Sequence, residues 1–188
     1  SGTKYLGGHS DLIAGAVAGS SDLVEEVGRL SRLYGPALDP QAAWLLARGI
    51  RTLELRVARQ NANALAIAEW FVTQEHVVTT IYLGLPSHCD HATAAELMSG
   101  FGGMVSIVLA GGGDAADRFM RGLKVASAAP SLGGVETLLS QPRHTSHVEL
   151  SPGEREALGI PEGFVRISVG IENVEDLIAD FDQALGSS

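Results

Sequence analysis

Short apolar runs separated by segments of helical periodicity dominate this chain, and that alternation leaves few architectures open. "HVVTTIYL", "GMVSIVLA" and "FVRISVGI" each read as a strand, and "LIAGAVA" over 12–18 reads as another, apolar throughout. Helices lie between them. "SSDLVEEVGRLSRLYG" opens on Ser and Asp, carries acid in its first turn and stops at Gly35. "LDPQAAWLLARGIRTLELRVARQNANALAIAEWFVTQE" holds two consecutive amphipathic helices. The second, with Leu53, Leu55, Val57, Ala62, Leu65, Ala68 and Phe71 as its apolar stripe, is long enough to bridge two domains. "HATAAELMS", "GDAADRFMRGLK" and "NVEDLIADFDQAL" complete the helical set, with Asn173 as the cap of the last, and "VASAA" is a short extended piece. Strands alternating with helices define an α/β protein. The closing "GSS" reads as a frayed tail.

Composition narrows the partners. A net charge of −9 with the 13 lysines and arginines scattered along the chain leaves no footprint for nucleic acid or an anionic membrane. Small molecules are the expected ligands. No apolar run reaches the roughly 18 to 20 residues of a membrane span. The lone Cys89 cannot form an intramolecular disulfide and suits a reducing compartment, and the N-terminus lacks the regions of an export signal. The expected location is the cytoplasm.

The chemistry concentrates at the start, in "SGTKYLGGHSD". A lysine amine has a pKa of about 10.4 and becomes useful at neutral pH when it condenses with an aldehyde cofactor whose phosphate is held by nearby hydroxyls and amides. Ser1 and Thr3 stand three residues and one residue before Lys4, close enough in a turn to serve such a phosphate. Spacing alone favours a solvated lysine in a Gly/Ser-rich turn, because lysines near Ser and Thr are common.

The same stretch resembles the cofactor-lysine segment of the Cys/Met-metabolism, or transsulfuration, family of pyridoxal phosphate enzymes, which includes cystathionine synthases and lyases and methionine γ-lyase. Four further blocks resemble that family in the same order: "GPALDPQAAWLLARGIRTLELRVARQNANALAIAEWF", "IYLGLPSHCDHATAAELMSGFGGMVSIVL", "SLGGVETLLSQPRHTSHVELSPGEREALGI" and "GFVRISVGIENVEDLIADFDQAL". The resemblance implies an α/β fold of pyridoxal phosphate fold type I, with residues 1–55 closing the large cofactor domain and 56–188 forming the small C-terminal domain. It implies pyridoxal 5'-phosphate as cofactor, carried on Lys4, with Ser1 and Thr3 on its phosphate. Arg166 would grip the α-carboxylate of an amino-acid substrate, and Ser131 would help to position that carboxylate and the lysine. Without the resemblance, Arg166 in an apolar strand still requires an anionic partner, an internal Asp or Glu serving as well as a ligand.

One departure bears on specificity. Family members that handle cystathionine often carry glutamate just before the Ser131 position; here it is Pro130, which favours shorter sulfur amino acids. The implied activity is carbon–sulfur lysis by β- or γ-elimination on cysteine, homocysteine, methionine or cystathionine. Two alternatives stay open: γ-replacement on an activated homoserine, and a non-catalytic assembly module. In the family, the glycine-containing phosphate loop, the ring stacked on the cofactor, the aspartate on the pyridine nitrogen and a tyrosine all precede the lysine. The implied partners are therefore an N-terminal half of the same protein and, as the family is commonly tetrameric, further copies of the subunit.

Other groupings carry less. "SHCDH" at 87–91 lacks metal-ligand spacers and reads as a surface turn, so no metal site is expected. "AGGGD" at 110–114 lacks the Lys and Ser/Thr of a P-loop and reads as a strand-to-helix turn. "RHTSH" at 143–147 reads as a polar loop near the substrate entrance, and His9, Ser10 and Asp11 as a brace for the Lys4 loop.

Overall fold

A computed structural model describes residues 1–186. The chain divides into two compact units, Ser1–Glu54 and the residues from Leu55 onward.

In the first unit, α1 (Ser21–Tyr34) ends where Gly35, at φ +81°, donates its N–H to Ser31 O, the left-handed stop that glycine permits. Asp39 caps α2 (Pro40–Ile50) by accepting the Gln41 and Ala42 N–H groups, and Pro40 begins the helix without a donor to leave unpaired. The strand expected over 12–18 is not formed. A strand needs a neighbour to complete its ladder, and among the described residues this run joins no ladder, the Gly2 N–H on Ala14 O being an isolated backbone bond. Ile13 at 84% exposure and Val17 at 58% accordingly face outward, whereas Ala14 is buried and Leu12 half-buried. α1 likewise buries none of its residues.

The second unit is built on a five-stranded sheet in the order β1-β2-β5-β4-β3. The strands are β1 (Val77–Ile81), β2 (Met104–Leu109), β3 (Ser127–Ala128), β4 (Leu138–Ser140) and β5 (Phe164–Ser168). Pairings are antiparallel except for β3 with β4. Alternation places Val105, Ile107, Val165 and Ile167 on one face, and onto the same core pack Phe71 of α3 (Leu53–Val72), Phe119 of α5 (Gly112–Gly122) and Phe181 of α7 (Val174–Gly186). Phe71 and Phe181 lie 5.4 Å apart between ring centroids. α4 (His91–Leu97) and α6 (Pro152–Ala157) are short surface helices, the latter held by a capping box between Ser151 and Glu154. The glycines at 111–113 make the expected strand-to-helix turn, and Asn173 Oδ1 accepts the Glu175 N–H as the expected cap of α7. Of the tail, Gly186 completes α7, and Ser187 and Ser188 lie outside the described residues. No helix among the described residues is long and apolar enough to cross a membrane.

The stripe expected on α3 is displaced. Leu55 is 73% exposed, and the buried face runs through Arg56, Gln60, Asn63, Ala64, Ile67, Ala68 and Phe71. Its N-terminal half is thus polar inside, because Gln60 and Asn63 donate to backbone carbonyls that need a partner.

α5 and α7 are joined through a buried carboxylate. Asp180 accepts the N–H groups of Lys124, Val125 and Ala126 at 2.8 to 2.9 Å, satisfying the chain as it leaves α5. Asp180→Ala would strand these donors and is expected to cost on the order of 3 kcal/mol. Urea unfolding of the variant checks this, and an unchanged midpoint would show that water replaces the carboxylate.

Candidate active site

Lys4 lies in a closed backbone turn in the first unit. Gly7 N–H donates to Gly2 O and Gly8 N–H to Lys4 O, both at 2.8 Å, and Gly2 N–H reaches Ala14 O at 2.8 Å. Thr3 completes the brace: its hydroxyl accepts the Ala14 N–H at 3.0 Å and lies 3.2 Å from Ala14 O as donor. Ser1 is exposed, and Lys4 itself is half-buried. Space is tight around the turn. A Cβ on Gly2 would stand 3.0 Å from Ala14 Cβ, and one on Gly49 would overlap the Gly7 carbonyl, so α2 can approach the loop only with glycine there. His9 Nδ1 contacts Gly7 O at 2.8 Å and Asp11 pairs with Arg48 at 3.8 Å, two local braces of the kind expected. A lysine on a hydrogen-bonded turn, three residues after an exposed serine, has the chemistry to take an aldehyde cofactor bearing a phosphate.

The second unit carries Arg166, at the centre of the sheet on the face opposite Val165 and Ile167. Its Nη2 donates to Ser131 O at 3.1 Å, so the structure brings these two expected residues together. Its Nε is buried without a hydrogen-bond partner, and no acidic side chain among the described residues forms an ion pair with it. Arg166, Pro130, His144, Thr145 and Ser146 line a cavity of about 440 Å³. A guanidinium that no carboxylate among the described residues neutralises is chemically suited to an anionic group.

A family model described as Cys/Met metabolism PLP-dependent enzyme matches residues 1–186. The chain belongs to that family. Among its relatives, a cystathionine β-lyase of Lactococcus lactis subsp. cremoris is 45% identical over 98% of this chain and 49% of that protein. An L-methionine γ-lyase of Pseudomonas putida is 45% identical over all of this chain and 48% of that protein. The crystal structure of cystathionine γ-synthase from Xanthomonas oryzae pv. oryzae in complex with cystathionine superposes with a TM-score of 0.93 at 39% identity, covering 100% of this chain and 49% of that one. The chain spans between 33% and 49% of the length of the curated relatives it matches. Its α/β architecture is that of the family, fold type I.

Sequence reasoning placed the "RHTSH" loop near a substrate entrance without assigning its residues. Three of them, His144, Thr145 and Ser146, now line the Arg166 cavity of this transsulfuration-family chain. His144, Thr145 and Pro130 also border a second cavity of about 290 Å³, walled by Met120, Ala129 and Leu139. The grouping at 88–90 is local. His88 Nδ1 accepts the Asp90 N–H at 3.1 Å and the Cys89 thiol donates to Asp90 at 3.6 Å, the contacts of a surface turn.

The loop that lines the cavity is anchored electrostatically. Arg143 bridges Asp117 at 2.6 Å and Glu162 at 3.4 Å, and Gln141 donates to Asp117 at 2.8 Å. The Arg143 guanidinium, aided by Gln141, holds the Asp117 carboxyl down at about 2. An unfolded aspartate titrates near about 3.9, so this anchor stabilises the fold fully above that value and is lost as pH falls through about 2. Asp117→Asn is therefore expected to be less stable than the parent at neutral pH, with the difference shrinking below about pH 4. Denaturant unfolding across that range measures it; a constant difference would assign the loss to packing.

Proposed function

We propose that this chain supplies the cofactor lysine and the substrate-carboxylate grip of a pyridoxal phosphate-dependent carbon–sulfur lyase acting on a sulfur amino acid by β- or γ-elimination. The observation that carries the reading is Arg166: a sheet-borne guanidinium, free of protein carboxylates among the described residues, opening on a cavity of amino-acid size. When bound, pyridoxal phosphate supplies an electron sink for charge developing at the substrate Cα. This chain's groups do the rest. Lys4 carries the cofactor and moves the proton at Cα, and Ser1 serves the phosphate. Thr3 serves it too by redirecting its hydroxyl proton from Ala14 O. Arg166 offers a planar fork to the α-carboxylate, with Ser131 beside it. Expulsion of the thiol and addition of water leave an oxo acid and ammonia.

Cysteine, homocysteine, methionine and cystathionine all fit this chemistry. Pro130 on the rim of the cavity, where a glutamate would attract a distal amino group, supports the shorter ones. A second reading has its own support. Relatives include cystathionine γ-synthases and an O-succinylhomoserine sulfhydrylase of Pseudomonas aeruginosa, 40% identical, and γ-replacement would use the same residues. Product analysis with and without an added thiol separates the two.

The partners in this proposal are the remainder of the same polypeptide, which would cover the outward apolar residues of the first unit such as Ile13, and further copies in a tetramer. The single exposed thiol is compatible with a cytoplasmic setting. Borohydride reduction of the full-length enzyme, followed by peptide mass analysis, is expected to fix the cofactor mass on Lys4. Lys4→Ala should lower turnover by at least about a thousandfold. Arg166→Lys should raise KM roughly ten- to a hundredfold. A colourless protein that cannot be loaded, or Lys4→Ala with full activity, would leave the assembly module as the better account.

A further inference from the structure

We infer that Gln60 and Ser168 are positioning residues for the carboxylate site, tethering the turn that carries Ser131 while staying beyond the reach of any ligand. The inference rests on Arg166 being the carboxylate grip. Gln60 is wholly buried on α3, whereas Leu55 on the same helix is 73% exposed, a reversal of the ordinary preference that a helix tolerates only where the polar group is bonded. Among the described residues its side chain bonds through Nε2 to Gly134 O at 2.7 Å, across 74 residues of sequence, and its Oε1 is buried with no partner. Gln60 is therefore held inside for that carbonyl alone.

Ser168 approaches the same turn from the sheet. It lies two residues beyond Arg166 and so projects from the same face of β5, where its buried hydroxyl accepts the Gly133 N–H at 2.8 Å. Gly133 sits at φ +76°, a backbone that side-chain-bearing residues avoid, so the turn has no side chain of its own to pack at that point. The two tethers supply the missing anchor. β5 thus grips the 131–134 turn twice, through Arg166 on Ser131 O and through Ser168 on Gly133 N–H. α3 closes the grip on Gly134. With either tether removed, Ser131 O shifts and the guanidinium fork that it aims shifts with it. Carboxylate binding then weakens in the ground and transition states alike, which appears in KM rather than kcat.

The test uses the full-length holoenzyme carrying Ser168→Ala or Gln60→Met, the latter similar in length but without a donor. The quantity to read is the ratio of kcat/KM for an amino-acid substrate to that for its α-carboxamide, with calorimetric affinities for L-alanine and L-alaninamide as a readout independent of turnover. Each variant is expected to lower both ratios about tenfold, the worth of one well-placed hydrogen bond, with the cofactor absorption unchanged and Ser168→Thr restoring the ratio. Equal losses for acid and amide, or unchanged ratios, would overturn the inference. Arg166→Lys separates the two levels. If it too leaves the ratios unchanged, the carboxylate reading has failed; if it alone collapses them, only the positioning role has. The two tethers lie on separate elements, so a variant that fails to fold leaves the other to decide.

Discussion

A slip of β5 by one residue against β2 and β4 would turn Val165 and Ile167 out of the core and drive the Arg166 guanidinium into it. The cost of burying an unpaired charge among Phe71, Phe119 and Phe181 makes the observed register the only stable one. Core and site are therefore specified by one alternation. On one face β5 closes the hydrophobic layer with α3, α5 and α7; on the other it presents Arg166 and Ser168 to the turn that carries Ser131.

Around that strand the polar interior is closed by local reciprocity rather than by ion pairs alone. Glu172 accepts both the Thr137 N–H and its hydroxyl, Thr137 in turn accepts the Gly170 N–H, and Asn63 donates to the Gly170 and Glu172 carbonyls. Thr137, Glu172, Gly170 and Asn63 thus partner one another, and the segment following β5 is held without regular structure, while Gln60 Oε1 and Arg166 Nε stay unpartnered beside it. Asp180 does the same for the exit from α5.

Most helices and strands were legible in the sequence because their signals are local. Gly35 and Asn173 mark helix ends through backbone groups within a few residues, and "GMVSIVLA" and "FVRISVGI" alternate at the period of a strand. Three features were not legible. The run at 12–18 has the composition of a strand, yet pairing is a property of a neighbour and not of the run itself. β4 and α6 are too short for periodicity to register, although the Ser151–Glu154 capping box was a readable start signal. On α3, hydrophobicity pointed to Leu55, whereas Gln60 and Asn63 are inside for the sake of carbonyls 74 and 107 or more residues away, which no window along the chain can contain. For the site, Lys4, Thr3 and Arg166 could be singled out by chemistry and resemblance, while the place of His144, Thr145 and Ser146 on the wall of the Arg166 cavity depends on where a 3₁₀ turn at Pro142–His144 folds them.

Gly49 has a consequence for how this chain can vary. The α2 backbone at that point stands against the Gly7 carbonyl with no room for a single carbon atom, so the position of the helix and the shape of the lysine loop are one mechanical variable. A mutation elsewhere on α2 that shifts its axis is transmitted to the loop undamped, whereas one on its outward side is not. Divergence along α2 is thereby channelled to its outer surface, and the steric closure at one glycine sets which half of the helix is free to drift.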